Sequence, residues 1–229
     1  MQPEELTIVV PLYKEAAQLA ALWHSLAPLR ESGVEVILVN AQLPPEQADE
    51  SLAIAAALNI ELLQAAKGRA GQMNAGAAQS MRPWLLFLHA DTRLPEDVLL
   101  QLQALPSNSQ WGRFDVWIEG RSWGLPMVAF CMNWRSRLSG IATGDQAMFV
   151  RRDLFNAVGG FPQQPLMEDI ALSRALRSRA RPVCLFSKVI TSGRRWDTYG
   201  LWPTIVLMWR LRFAYWRGAS PDTLAAQYL

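Results

Sequence analysis

Four short stretches of the chain hold side chains whose types and spacing could do chemistry. His89-Ala90-Asp91 follows the fully apolar run Trp84–Leu88. A carboxylate and an imidazole placed so can ligand a hard cation, with water and a substrate phosphate completing the shell. An aspartate there also caps a following loop, and spacing alone leaves both readings open. Glu168-Asp169 precedes a helix-like run. Carboxylates at a helix start serve as caps, or as a general base when a substrate hydroxyl comes within hydrogen-bond reach. Arg194-Arg195-Trp196 follows Thr191-Ser192-Gly193, setting two guanidiniums and an indole beside flexible backbone. That suits a diphosphate, and a solvated arginine pair is the alternative. Gly68-Arg69-Ala70-Gly71 opens a helix and offers backbone N–H groups and a cation to an anion. It is neither a Walker loop, since no GK[ST] follows, nor a GxGxxG turn.

The elements that must position these residues alternate. Leu6–Pro11, Val34–Val39, Ile60–Leu63 and Trp84–Leu88 read as buried strands. Between them helical spacing runs from Glu15 to Leu29, from after Pro44-Pro45 to about Leu58, and through Asn74 and Ala78. Pro95 suits the first turn of a further helix, with Glu96 and Asp97 complementing its dipole. This rhythm predicts a Rossmann-like α/β fold with a mostly parallel, doubly wound sheet and helices on both faces. Ligands of such sheets bind outside the carboxyl ends of the strands, here just after Pro11, Val39, Leu63 and Leu88. The second half reads differently. Trp111–Glu119 alternates like an antiparallel or edge strand, and Gly144–Val150 is short and strand-like. Asp153–Val158 is a helix stopped by Gly159-Gly160, Leu166–Arg179 a stronger helix and Pro182–Lys188 a last strand. With no repeat or linker-like composition, the chain reads as one domain. A first half to about residue 105 is closed over by a second to about residue 200, and a C-terminal helix covers 201–229.

Composition narrows the function classes. At 229 residues and 51% hydrophobic content the chain builds one substantial core, and 18% charged residues with ten tryptophans exclude disorder as its main state. A formal charge of +2 gives no nucleic-acid-sized field. Nineteen of the 22 basic residues are arginines, which favour planar bidentate contacts with phosphates and carboxylates, although a codon bias gives the same composition. Cys131 and Cys184 have no CxxC spacing, and the acidic start Met1-Gln2-Pro3-Glu4-Glu5 is unlike a signal peptide. The expectation is a cytoplasmic protein with both thiols buried. Trp123–Trp134 and Leu201–Trp209 are the longest apolar runs and are too short to span a bilayer.

Taken in order, PLYKE, the second strand ending in Asn40, GRAGQMNAG, LLFLHADT, GDQAMFVRRDLFNAVGGF, PLMEDIALSRAL and SGRRW resemble the family-2 glycosyltransferases of GT-A fold. More narrowly they are similar to a small bacterial subgroup linked to arsenosugar biosynthesis. The resemblance implies an inverting transfer from a nucleotide-sugar donor, a UDP- or GDP-sugar, to a hydroxyl of a small-molecule or lipid-linked acceptor. On it, Asp91 and His89 hold a divalent cation, Mn²⁺ or Mg²⁺. Asp169 is the base and Glu168 its neighbour. Pro11, Tyr13, Glu15, Asn40, Arg69, Asn74, Asp91, Arg195 and Trp196 surround the donor, and Gly144, Asp145, Gln146 and Trp196 the acceptor. Two stretches depart from the family pattern. Val39-Asn40-Ala41-Gln42-Leu43 lacks the aspartate that reads uracil, and Lys14 stands before Glu15 where asparagine is usual. The rivals are a non-catalytic homologue that binds a sugar nucleotide or a partner, and a sugar-phosphate nucleotidyltransferase. The latter should carry a glycine-rich basic signature after the first strand, which PLYKEAAQ lacks.

The C-terminal segment stands apart. Trp202, Trp209 and Trp216 recur every seven residues, with Ile205, Val206 and Phe213 in the stripe and Arg210, Arg212 and Arg217 interrupting it. One reading is a helix packed on the sheet with snorkelling arginines. The other is an interfacial helix resting on the inner face of a membrane or on a second copy of the chain.

Overall fold

The computed structural model describes residues 1–47 and 50–228. In chain order the elements are β1 (Leu6–Leu12), α1 (Ala16–Ser25), α2 (Ala27–Glu31), β2 (Glu35–Gln42), α3 (Ser51–Ala57), β3 (Leu62–Ala66) and α4 (Arg69–Gln79). Then come β4 (Trp84–Phe87), β5 (Thr92–Arg93), α5 (Val98–Gln103), β6 (Trp111–Glu119), α6 (Leu125–Ser139), β7 (Phe149–Arg151) and α7 (Arg152–Ala157). The chain closes with α8 (Glu168–Arg177), β8 (Val183–Ser192), α9 (Arg194–Tyr199), α10 (Leu201–Trp216) and α11 (Pro221–Tyr228).

All eight strands form one sheet in the order β3-β2-β1-β4-β7-β6-β8-β5. The first four are mutually parallel, with Ile8 level with Val36 and Leu86. β7 runs antiparallel to β4 and β6, while β6 and β8 are parallel. The expected GT-A-type architecture is thus present, with an antiparallel seam at β7.

Each central strand is buried on both sides, the cause of its continuous apolar run. Ile8, Val10 and Leu86 join Leu19, Leu22 and Phe114 on one face, whereas Val9, Leu85 and Phe87 meet Ala70, Met73 and Phe155 on the other. α4 lies so close to the sheet that a Cβ on Gly76 would stand 2.4 Å from Val9 Cγ1. That contact explains the small residues of this helix.

Several expectations change. The helix over 15–29 is two helices meeting at Leu26, and β3 begins two residues late. Pro95 precedes α5 instead of opening it, accepting the Val98 N–H at 3.1 Å. Positions 48 and 49 of the second expected helix lie outside the described residues. β6 is no edge strand, because it lies between β7 and β8 and is buried from Trp111 to Val116. The backbone expected to be flexible beside Arg194-Arg195-Trp196 is the end of β8, which runs to Ser192, and the three residues themselves open α9. The C-terminal segment is two helices, turning at Gly218 with φ +92°. Neither thiol is fully buried; Cys131 is exposed.

Candidate active site

The carboxyl ends of β2, β1 and β4 lie side by side, since these strands are parallel neighbours in the sheet. At these ends Pro11 pairs with Val39, Leu12 with Asn40 and Asn40 with Gln64, so the strand ends are in step. Asn40 is buried. Tyr13 is held between two of the three lysines, with the Lys67 ammonium 4.6 Å and the Lys14 ammonium 5.9 Å from its ring centre. The Lys67 hydrogen bond lowers the Tyr13 hydroxyl below its ordinary value, and both lysine charges act in the same direction. The carbonyl of Glu15 starts α1 by accepting the Gln18 and Leu19 N–H groups.

A residue not singled out from sequence fastens these strand ends. Buried Gln72 of α4 donates to the Leu12 carbonyl at 2.8 Å and the Val39 carbonyl at 2.7 Å. One amide thereby satisfies two strand-end acceptors and fixes the start of α4 against them. A long polar side chain in a helix of small residues was the available signal. Asn74 departs from its donor-side expectation. Its amide accepts the Phe161 N–H at 2.9 Å and donates to the Phe161 carbonyl at 2.8 Å, so it clamps the Gly159-Gly160-Phe161 turn.

The loop Thr143–Ala147 is gripped from two elements. His89 Nδ1 lies 3.3 Å from Asp145 Oδ1, and Gly144 donates to Asp169 Oδ2 at 2.8 Å. A side chain at Gly144 is excluded, since its Cβ would stand 2.3 Å from His89 Nε2. Gln146 departs from its acceptor-side expectation. It is fully buried, accepts the Thr143 N–H at 3.2 Å and reaches Asn133 at 3.4 Å, and so shapes the loop from beneath. Of four non-glycine residues with positive φ among the described residues, three border the site: Lys14, Ala147 and Met167, at +56°, +44° and +65°. Strained backbone of this kind costs on the order of 1–3 kcal/mol each and concentrates where side chains must be aimed.

Met167 aims the two carboxylates that begin α8. The Glu168 side chain is 3% exposed, and its Oε1 lies 3.3 Å from Nη1 of Arg69, which is 51% exposed. Burial raises the Glu168 carboxyl above its ordinary 4.5, and the Asp169 charge adds to this against the pull of Arg69. Asp169 is held at both oxygens, Oδ2 by Gly144 and Oδ1 by its neighbour Ile170 at 2.7 Å. Burial works against the Arg69 charge, but Glu168, Asp169 and Asp145 outweigh it and raise its pKa. Asp145 shows the reverse balance. Burial pushes its carboxyl up, yet the hydrogen bond and charge of His89, with Arg69 and Arg135, hold it below the ordinary range. Its side chain remains 45% exposed, so solvent screens these effects.

Arg135 of α6 is a second residue that sequence reasoning missed. Its Nε and Nη2 are buried with no hydrogen-bond partner among the described residues, and burial lowers its pKa against the charges of Asp169 and Asp145. On the diphosphate side, Trp196 packs on the main core. Arg195 is engaged by the chain terminus: it donates to the Tyr228 carbonyl at 2.6 Å and stands 3.7 Å from that ring's centre. Between α9, α10 and α11 lies a cleft of 260 Å³ lined by Arg195, Tyr199, Thr204, Leu207 and Tyr228, among others. Burial raises the Tyr228 hydroxyl, with Asp145 and Asp169 adding to the rise.

Metal binding was expected at Asp91 and His89. The imidazole of His89 faces Asp145, and no group of three His, Cys, Asp or Glu that could hold a metal exists among the described residues. Asp91, at the mouth of β4, accepts a long 3.4 Å hydrogen bond from Thr92. One hard oxygen donor at a strand end fits a divalent cation carried mainly by substrate phosphates and water, as Mg²⁺ usually is.

Residues 7–108 match the sequence model of the family Glycosyl transferase family 2. No curated sequence matches the chain. The structure superposes on residues 1–349 of S. aureus TarS with TM-score 0.63 and 19% identity, over 84% of this chain and 60% of that one. Mannosyltransferase PcManGT from Pyrobaculum calidifontis, in complex with GDP-Man and Mn²⁺, gives TM-score 0.64 and 16% identity over 99% of this chain and 70% of that one. Glucosyl-3-phosphoglycerate synthase from Mycobacterium tuberculosis, with Mg²⁺ and UDP, gives 0.58 and 15% over 81% and 69%. These likenesses establish the fold, and the chain spans less than two thirds of the TarS chains. The family model matches less than half of the chain, and the likenesses to solved structures show that its fold is of GT-A type.

Proposed function

We propose that the chain is an inverting glycosyltransferase that moves a sugar from a nucleotide sugar to a hydroxyl of a small-molecule or lipid-linked acceptor. The observation that carries this reading is the fixed carboxylate of Asp169, held by Gly144 and Ile170 and next in the chain to Glu168, which pairs with Arg69. A carboxylate so oriented accepts the acceptor proton as the acceptor oxygen bonds to the anomeric carbon and the bond to the diphosphate breaks. One in-line displacement inverts the anomeric centre. Glu168 and Arg69 form the adjacent pair that keeps a guanidinium facing the donor phosphates. Tyr13 and Asn40 receive the nucleoside, and Trp196 and Asp145 border the acceptor. A divalent cation, Mn²⁺ or Mg²⁺, at Asp91 supplies charge neutralisation on the departing diphosphate. TarS in complex with UDP-GlcNAc and PcManGT with GDP-Man and Mn²⁺ support a UDP- or GDP-sugar donor. The likeness to the arsenosugar-linked subgroup belongs to this proposal, as does a cytoplasmic location.

The test compares the protein with Asp169→Asn, measuring nucleoside diphosphate release from UDP- and GDP-sugars with Mn²⁺ and a panel of hydroxyl acceptors. Loss of a general base lowers turnover by about 10²–10⁴ while nucleotide affinity persists. Full turnover by the variant removes Asp169 from the base role. One observation favours a second reading, a homologue that binds without catalysis: Arg195, expected on the diphosphate, is instead engaged by Tyr228. On that reading nucleotide binds but no diphosphate is released by either protein.

A further inference from the structure

Two helices leave long apolar stripes without cover. On α10 the exposed large hydrophobic residues are Trp202, Val206, Trp209, Phe213 and Trp216, a 4-3-4-3 spacing that keeps all five on one face. On α6 and its approach they are Trp123, Met127, Phe130, Trp134 and Leu138, with Trp123 and Leu138 each 82% exposed. Sequence periodicity pointed to the first stripe. The second was masked because α6 also carries Leu125, Val128 and Ala129 on its inward side, so its apolar residues run nearly all round. Single exposed hydrophobic residues are ordinary, but contiguous patches of this extent mark a contact surface.

The two stripes start from one rigid junction. A Cβ on Gly124 would stand 2.3 Å from the Leu201 side chain. Asp197 of α9 accepts the Arg121 N–H at 3.0 Å and the Ser122 N–H at 3.1 Å, and Gly193 donates to the Glu119 carbonyl at 2.6 Å. The starts of α6 and α10 therefore cannot move independently. Charge distinguishes the occupants. Residues 123–139 and 201–217 contain Arg135, Arg137, Arg210, Arg212 and Arg217 and no Asp or Glu. Arg137 is paired with Asp115, whereas Arg210 and Arg217 lie exposed beside the tryptophans. A second copy docking here would oppose arginine to arginine with no acid on either face. An anionic bilayer surface accepts both features, taking indoles at headgroup depth and guanidiniums on phosphates. No helix among the described residues is long and apolar enough to cross a membrane, so the platform rests on the surface.

We propose that α6 and α10 together form one platform that docks on an anionic lipid surface, with α9 and its Arg195 and Trp196 beside the contact. This holds independently of the transfer reading. Flotation of the full chain with vesicles of phosphatidylcholine, alone or mixed with phosphatidylglycerol, tests it. Three proteins are compared: the unaltered chain, Phe130→Ser with Trp134→Ser on α6, and Trp209→Ser with Phe213→Ser on α10. All four substituted side chains are exposed, so the fold is retained, as circular dichroism and nucleotide binding check independently. The unaltered chain floats with the mixed vesicles and not with phosphatidylcholine alone, and added salt weakens binding. Each pair of substitutions lowers vesicle affinity by roughly tenfold or more, as loss of buried aromatic area requires. Failure of the unaltered chain to float with anionic vesicles overturns the proposal. An effect confined to the α10 pair overturns the shared platform. A dimer that either pair converts to monomer in light scattering, with flotation unchanged, identifies the second copy as the occupant and likewise overturns it.

Discussion

The proposed nucleoside side and the proposed acceptor side of the candidate site are built from different interactions. The first rests on close backbone packing: parallel strands buried on both faces, α4 pressed on Val9 at Gly76, and Gln72 joining two strand ends. The second rests on a buried ion pair within β6 and on polar side-chain links between β6 and α6. Arg113 is fully buried and pairs with Asp115, which also accepts from Arg137 at 2.8 Å. Asn133 exchanges hydrogen bonds with both backbone groups of Val116, at 2.8 and 3.0 Å, fastening α6 to β6. Apolar packing tolerates substitution gradually, whereas a buried ion network fails when one partner is removed.

The largest effect is therefore expected on the acceptor side. Asp115→Ala leaves the Arg113 guanidinium buried without its carboxylate, and urea unfolding should report a loss of about 3–5 kcal/mol. Replacing Arg113 and Asp115 together by Met and Leu should recover much of that loss; failure to recover would show that the remaining packing, not the charge, is at fault. On the nucleoside side Gly76→Ala forces α4 away from Val9 and Val39 and should cost about 1–3 kcal/mol. A Gly76 variant more damaging than Asp115→Ala breaks the comparison.

Glu168 offers a smaller, pH-dependent test. The folded chain holds its proton more tightly than the unfolded chain does. Its contribution to stability is therefore greatest below the ordinary 4.5 and declines as pH rises through the raised value. Comparing unfolding of the protein with that of Glu168→Gln across this window should show the unaltered chain losing stability relative to the variant as pH rises. Parallel curves would remove burial as the controlling feature. The smallest effect is expected at the chain terminus. Shortening the chain to end at Gly218 removes the Tyr228 contact from Arg195 and should raise nucleotide affinity a few-fold in calorimetry. Weakened binding would instead make Tyr228 part of the nucleotide site.

The same division governs what was legible in the sequence. β1, β2 and β4 announce themselves through unbroken apolar runs, because both faces of each are covered by helices next in the chain. Asp91, Glu168 and Asp169 were recognisable because charges at strand ends and helix starts are conspicuous. β6, expected as an antiparallel or edge strand, is antiparallel to β7 but no edge, because its other partner β8 lies some seventy residues on, with Glu119 level with Ser192, and no local period records that pairing. Asn74 and Gln146 looked like ligand contacts, yet their amides hold the Phe161 turn and the Thr143 loop. A side chain's composition does not reveal which backbone comes within reach. Arg135 and Tyr228 went unnoticed for the same reason, as neither lies near a motif and both reach the site only in the folded chain.

Calorimetric titration of the intact chain with UDP, GDP, CDP and dTDP, each with and without Mn²⁺, is the most direct test of a nucleotide-sugar site. One nucleotide should bind with an affinity that depends on metal, and Asp91→Ala should abolish that dependence. Absence of binding by all four, from protein that unfolds cooperatively, would contradict the assignment.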